Sequence, residues 1–364
     1  MSNETSSITQ PVKAPAWIRF VAGLLLVLML SMVAWWVTRK VYAVTLPLGI
    51  PGKTLEYPIW AVLFGLLGNL VLSLTGARDF LRPGIRTEFF LKVGLVLLGS
   101  GINLTLLVTA AGGAVLQAVI MITSVFFFTW WLANLFGLDE KLRAVMATAI
   151  SVCGVSAAIA AAGSVLAKKE QVTYVITIVI LVALPLMVLS PLAAGALHLP
   201  DAVAGAWFGG NIDTTAAVVG AGTIYSDAAQ QVASIVKNTQ NVMIGLVAFL
   251  LAIYYSARSG ETGRRPSARL VWERFPKFVL GFVLASVLYT LGWIDGGKGS
   301  ALEALKNWAF TLAFVCMGLE FAVGEVRRMG WRPLGVFLIA TVFNTVLALG
   351  VAWIIFGMLL PIKP

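Results

Sequence analysis

Charge is what this sequence most lacks. Only 12% of its 364 residues are Asp, Glu, Lys or Arg, while 59% are hydrophobic. A soluble domain carries about 25% charged residues, so a soluble fold is excluded. Histidine is nearly absent, and the one present, His198, lies at a segment end and cannot build a metal site alone. Two cysteines, Cys153 and Cys316, both sit inside apolar stretches and imply no disulfide framework. The chain has no Walker A loop, HExxH motif or dinucleotide fingerprint, which removes support for an ATP-driven pump or a membrane metalloprotease. No catalytic constellation appears either, so an enzyme is not expected. Acidic residues are outnumbered 16 to 26 by Lys and Arg. That basic excess does not point to nucleic acid, because it sits in short loops, the positive-inside pattern of a membrane protein.

Apolar sequence is what the chain has in abundance. Apolar segments fall at roughly 17–38, 58–76, 89–107, 112–135, 142–167, 172–198, 200–224, 226–257, 278–294, 305–324 and 333–360. A bilayer core about 30 Å thick takes roughly 20 residues per helix. The fold class is therefore an all-α polytopic membrane protein, with a tail at 1–16, a single transmembrane domain at 17–360 and the lipid bilayer as partner. The stretch Val21–Val37 reads as an anchor that stays, since no small-residue cleavage site follows it. Leu-Pro-Leu-Gly at 46–49, Arg-Pro-Gly at 82–84 and Trp-Arg-Pro at 331–333 supply turn chemistry between segments. Basic loops at 77–88 and 257–277, with Arg327, Arg328 and Arg332, mark the cytoplasmic face of a bacterial inner membrane. Alternation then leaves the N-terminus inside and the C-terminus outside. Trp35, Trp36, Trp130 and Trp131 read as interfacial belts.

Lys168 and Lys169 test this arrangement. If 142–167 dips into the membrane and returns, they join the other basic residues; segment 200–224 must then be re-entrant from the opposite side. Both segments carry glycine at their centres, in Ser151-Val-Cys-Gly-Val-Ser156 and Gly209-Gly-Asn-Ile-Asp-Thr-Thr215. Nine full spans plus two re-entrant hairpins is the preferred reading; two broken but fully crossing helices is the alternative. The segments also look like a repeat. Residues 156–165 align with 215–224 at four identical positions of ten, with four more Ser/Thr or Val/Ile exchanges. A weaker echo links Leu97-Leu-Gly99 to Cys316-Met-Gly318. Inverted repeats with interrupted helices meeting near the midplane are a secondary-transporter architecture.

Irregular backbone at bilayer depth is tolerated only inside protein or along a cavity, so the two breaks predict a site between them. Free N–H groups of the second half-helices would seat an oxyanion, with Ser151, Cys153, Gly154 and Ser156 from one tip. Gly209, Gly210, Asn211, Thr214 and Thr215 would contribute from the other. Glycines that merely ease packing, with hydroxyls bonding to their own turns, are the bland alternative. Lys237, the one basic residue near the middle of a span, shares a helix face with Asn241 and would attract the anion; a buried pair with Asp213 or Glu320 is its structural alternative. Asp213 and Glu320 fall deep inside apolar segments, where an ionisable group has a partner or a job. Both are candidates for a coupling proton or cation, and Asp213 could equally cap the following half-helix. Asn69, Asn103 and Asn344 read as interhelical hydrogen-bond partners.

Ser151-Val-Cys-Gly-Val-Ser-Ala-Ala158, the Gly-x-x-Ile-Asp-Thr run at 209–214, Val236-Lys237 and Gly94-Leu-Val-Leu-Leu-Gly99 together resemble the YeiH-type family, whose members carry a sulfate-exporter label. The resemblance covers about residues 20 to 358. It implies inverted repeats, a scaffold domain with a mobile core, elevator movement and a homodimer. It further implies a secondary carrier exporting a small inorganic or sulfonated anion such as sulfate or sulfite. No cofactor follows, and a coupling ion would be H+ or Na+. Where the family pattern has a histidine just before the aspartate, this chain has Ile212. An importer of an organic anion, a channel and a membrane sensor are the rival expectations.

Overall fold

The computed structural model describes residues 15–44, 55–259, 272–273, 275–294, 296–321 and 330–361. The tail at 1–14, the turn at 46–49, most of the basic loop 257–277 and Arg327–Arg328 lie outside the described residues. All regular structure among the described residues is helical. The helices are α1 (Ala16–Tyr42), α2 (Tyr57–Thr75), α3 (Thr87–Gly99), α4 (Leu104–Leu135), α5 (Glu140–Thr148), α6 (Gly154–Val165) and α7 (Lys169–Ala196). They continue with α8 (Asp201–Asn211), α9 (Thr215–Tyr225), α10 (Asp227–Val242), α11 (Ile244–Ser259), α12 (Phe278–Thr290), α13 (Gly296–Leu319) and α14 (Trp331–Ala352). A π-helical turn, Ala149–Cys153, joins α5 to α6. Among the described residues, eight helical stretches are long and apolar enough to cross a membrane.

The helices pack as two groups. One contains α1, α2, α3, α12 and α13; the other contains α4 to α11 and α14. Glycines set the close crossings inside the first group: a Cβ on Gly65 would lie 2.9 Å from Gly318 Cα, and one on Gly99 would strike the carbonyl of Phe282.

The two interrupted segments turn back on themselves. Lys141 Nζ donates to the Leu166 carbonyl at 3.1 Å, although 25 residues of straight helix would separate them by about 38 Å. Gln171 Nε2 closes the same base onto Asp139 Oδ1 at 2.8 Å. The second hairpin closes likewise, with Ser226 Oγ donating to Asp201 Oδ1 at 2.6 Å and Tyr225 Oη to the Leu199 carbonyl. Helix α7, 28 residues long, separates the two bases, so the hairpins enter from opposite faces. Their environment fits such a shape. The apolar window of Glu140–Val165 is 83% buried in protein, against 22–56% for the other seven stretches, so its irregular turn avoids lipid.

Contacts between helix ends define those faces. Tyr255 reaches the Glu140 carbonyl at 3.2 Å, Tyr174 that of Gly330 at 2.9 Å, and Arg78 that of Glu320 at 3.2 Å. Arg19 bonds the carbonyls of Asp79 and Phe80. One face thus gathers Arg19, Arg78, Lys141, Arg143, Lys168 and Lys169. On the opposite face Tyr42 donates to Glu56, and Thr290 Oγ1 accepts from Leu104 N at 2.8 Å. Trp35 and Trp36 lie near that end of α1 under Arg39 and Lys40, while Arg143 covers Trp130 at the basic face.

Three boundaries differ from the sequence reading. The break expected between 107 and 112 falls at 100–103, because Asn103 Oδ1 caps α4 by accepting from Thr105 N at 2.8 Å. Gly112 and Gly113 instead lie inside that helix. The span at 226–257 stays one stretch, Asp227–Ala257, but tightens into a turn at Met243 between α10 and α11. Helix α13 stops at Leu319, so Glu320 is an exposed residue at its end rather than a group deep in a span.

A single cysteine at position 168 or 169 should react with a membrane-impermeant thiol reagent from the same side as a cysteine at Arg78, with the wild-type protein as blank. Labelling from the opposite side would overturn the first hairpin.

Candidate functional site

The hairpin tips meet main chain to main chain. Gly154 has φ +40°, a backbone conformation that L side chains rarely adopt. A Cβ there would lie 2.5 Å from Val179 Cγ1 and 3.1 Å from the Asp213 carbonyl oxygen. Glycine alone permits this approach. Beside it, Cys153 Sγ lies 3.4 Å from Thr215 Oγ1, and Asn241 Nδ2 donates to the same hydroxyl at 3.2 Å.

Helix α10 supports both tips. Ser234, Lys237 and Asn241 follow at i, i+3 and i+7, one helical face. Lys237 is 1% exposed, and its Nζ donates to the Val152 carbonyl at 2.8 Å and to Gln240 Oε1 at 3.0 Å. The cation therefore pins the π-helical turn of the first hairpin. A neighbouring face of α10 carries the second hairpin's outer arm: a Cβ on Gly209 would sit 2.8 Å from the Ala233 carbonyl, and one on Gly205 2.5 Å from that of Ala229.

The two half-helix N-termini differ. Thr214 Oγ1 caps α9 by accepting from Ala217 N at 3.3 Å. Cys153 gives α6 no side-chain cap, and the Gly154 N–H is taken by the Ala149 carbonyl of the π-helical turn. A cavity of about 470 Å³ leads to that end from the basic face. Its mouth holds Glu88, Lys92 and Lys277, with Lys92 and Glu88 paired at 3.1 Å. Its floor holds Cys153, Ser156, Thr215 and Asn241.

Of the residues singled out in the sequence, Cys153, Gly154, Ser156, Thr215, Lys237 and Asn241 come together here. Ser151 turns back to the Thr148 carbonyl, at 3.4 Å, and Thr214 serves as the cap. Gly209 is a packing position against α10. Gly210 lies under the Gln117 amide, and Asn211 faces α14: its carbonyl accepts from Asn344 Nδ2 at 2.8 Å and its Oδ1 from Thr345 Oγ1 at 2.8 Å. Asp213 is buried, and its Oδ2 has no hydrogen-bond partner among the described residues; Lys237 spends its bonds on Val152 and Gln240 instead. Glu320 belongs to the other helix group, where Arg78 holds its carbonyl. The sequence reading passed over Gln240, which orients Lys237, and Gln117, whose Nε2 donates to the Ala206 carbonyl at 2.8 Å. An amide midway along the 32 apolar residues of α4 was the available signal for Gln117.

Residues 22–337 match a family model described as conserved hypothetical protein 698. The chain is 34% identical over 352 residues to a UPF0324 membrane protein of Rhodopirellula baltica, covering 93% of this chain and 63% of the relative. It is 34% identical over 325 residues to one of Nitratidesulfovibrio vulgaris, covering 83% of this chain and 55% of the relative. It thus spans less than two thirds of the length of both. To the UPF0324 membrane protein TauZ of Paracoccus pantotrophus it is 28% identical over 302 residues, 80% of this chain and 87% of that one. No solved structure matches.

The tip contact is testable through a pair of glycines. Gly154→Ala should lower stability by roughly 1–3 kcal/mol through strain and collision, measured as thermal unfolding of the purified protein. Gly112→Ala, with nothing within 4 Å of its added Cβ, should leave the melting temperature unchanged or higher. Equal effects would contradict the tip geometry.

Proposed function

Because the chain belongs to the UPF0324 membrane protein family, we propose that it is a secondary carrier of a small anion working by alternating access, and not an enzyme. One observation carries this reading. A cavity from one face ends on two crossing hairpin tips at Cys153, Ser156, Thr215 and Asn241, beside the start of α6, with the buried Lys237 behind the first tip on the Val152 carbonyl. At about 4 Å, a unit anion gains about 4 kcal/mol from an ammonium at an effective dielectric near 20, against about 1 kcal/mol in water. Hydroxyls of Ser156 and Thr215 and the Asn241 amide add neutral donors.

A second cavity, of about 570 Å³ and lined by Ser100, Asp227, Gln230, Glu303 and Lys306, shares no lining residue with the first. Two separate vestibules favour alternating access over a continuous pore. The walls of the first carry Leu91, Leu95, Ile159, Ile244 and Phe278, which suits a sulfonate with a hydrocarbon part as well as sulfate or sulfite. The basic face is cytoplasmic by the positive-inside rule, in a bacterial inner membrane, so that this cavity admits substrate from inside for export. Import of an organic anion is the alternative.

The test is counterflow in proteoliposomes with sulfate, sulfite, sulfonates and dicarboxylates. Lys237→Met should raise the half-saturating concentration of the transported anion by roughly ten- to a thousandfold, and Lys237→Arg by less. Stable Lys237→Met protein with wild-type affinity would end the electrostatic reading. A purely structural lysine would instead show a lower melting temperature with affinity intact.

A further inference from the structure

The two cavities share two walls. Helix α3 lines the first with Leu91 and Leu95 and the second with Leu97 and Leu98. Helix α10 lends Asn241 to the first and Asp227, Gln230 and Gln231 to the second. Gln230 and Asn241 stand about 17 Å apart along the helix. At about 100° per residue, these lining positions of α10 fall within an arc of about 100°. Between the cavities, only Ser234 and Asn238 lie inside that arc. Lys237 falls just outside it, turned to the Val152 carbonyl. Ala229, Val232, Ala233 and Val236, against which the glycines of α8 rest, lie on the other side of the helix.

Those two residues are polar, enclosed and unsatisfied. Ser234 is 0% exposed and Asn238 3%. The Ser234 hydroxyl and both ends of the Asn238 amide have no hydrogen-bond partner among the described residues, and the Asn241 oxygen has none either. A helical hydroxyl can bond back to its own preceding turn, as Thr239 does to the Ile235 carbonyl at 2.9 Å. Ser234 does not. Polar groups left buried and unpaired are destabilising, so packing alone gives no reason for them where apolar side chains would serve. The facing wall offers them nothing: Leu91, Leu95 and Leu98 follow at i, i+4 and i+7 on one face of α3, all buried.

We propose that Ser234 and Asn238 line the route by which the anion leaves the hairpin tips for the opposite vestibule, and that the leucine face of α3 closes this route in the present state. The proposal rests on the carrier reading given above. From Asn241 the route runs past Asn238 and Ser234 to Gln230, each about one turn from the next. Amide and hydroxyl groups replace the hydrogen bonds of water to an anion, and they do so without a fixed charge that would trap it. The far mouth, with Asp227 and Glu303 beside Lys306, retains an anion less than the Lys237 end does. When α3 moves off α10, water reaches the stripe and satisfies the groups that are unpaired here.

The experiment has a labelling arm and a transport arm, both on the full chain in proteoliposomes. A small methanethiosulfonate bearing a sulfonate group is the probe, read by intact mass, with wild-type protein as the blank for Cys153 and Cys316. Ser234→Cys and Asn238→Cys should each gain one adduct beyond wild type, and Val236→Cys, on the packed face, none. In counterflow, Asn238→Ala should lower the maximal rate by roughly tenfold or more, the weight of one hydrogen bond to a charged group. Its half-saturating concentration should stay within about twofold of wild type, because Lys237 and Asn241 are untouched. Asn238→Ser leaves nearly the same space as Asn238→Ala but keeps a hydroxyl, and should recover most of the lost rate. Equal melting temperatures with unequal rates in that pair separate a route from packing. No added adduct at either cysteine, an equal adduct on Val236→Cys, or wild-type rates in Asn238→Ala would overturn the route. Wild-type protein that moves none of the sulfate, sulfite, sulfonate and dicarboxylate panel would end the carrier reading and the role of the route with it. The labelling arm, which needs no substrate, would still show whether the stripe opens to water.

Discussion

Two main chains approach to contact at Gly154 and Asp213, and the rest of the architecture accommodates that contact. Each hairpin tip breaks its helix and frees peptide groups, and in hydrocarbon each free group costs several kcal/mol. Packing the tips against one another removes lipid from both breaks at once. The bases must then lie on opposite faces, with a full crossing helix between them, and α7 supplies it. Around the contact, α4, α10 and α14 close the ring and provide side chains to the peptide groups that the breaks release.

The tips resemble one another in sequence, and both receive donors from distant helices: Lys237 on the Val152 carbonyl at the first, the Gln117 and Asn344 amides on the Ala206 and Asn211 carbonyls at the second. They differ at the half-helix that follows each break. Capping accounts for much of the difference. Thr214 already occupies the N-terminus of α9, whereas α6 begins at a glycine preceded by a cysteine that cannot cap well.

Much of this was legible in the sequence. Apolar runs of membrane length fix the class, and glycine flanked by polar residues in the middle of such a run has few explanations. The basic residues at Lys141, Lys168 and Lys169 fell on one face because the first hairpin returns to where it began. What was less visible depends on partners distant along the chain. Asn103 ends a helix only because its side chain caps the next one, while Gly112 and Gly113 stay inside that helix, Gly112 at its surface and Gly113 packed against Ile355 and Phe356. Glu320 looked buried by its neighbours in sequence, yet α13 stops one residue earlier and releases it to the surface. Gln117 and Asn344 act on a segment about 90 and 130 residues away, a distance over which no local pattern carries information.

The same contacts indicate where the molecule can move. Inside the first helix group, glycines bring backbone against backbone at Gly65–Gly318 and Gly99–Phe282; inside the second they do so at Gly205, Gly209 and Gly222 along α10 and at Gly154. Backbone seated on backbone leaves no side chain to rearrange, so each group resists internal shear. Between the groups the contacts are softer. A Cβ on Gly220 of α9 would lie 3.3 Å from the Phe314 ring of α13, beside the flexible Met187 of α7, and methionine adapts readily to a changed surface. Both cavities lie along this seam, one toward each face, with α3 and residues near α12 forming one wall of each. In the proposed carrier, sliding of the second group past the first would close one vestibule and widen the other while the hairpin tips stay together. Access would then alternate, in the proposed carrier, without the contact at Gly154 and Asp213 ever having to open.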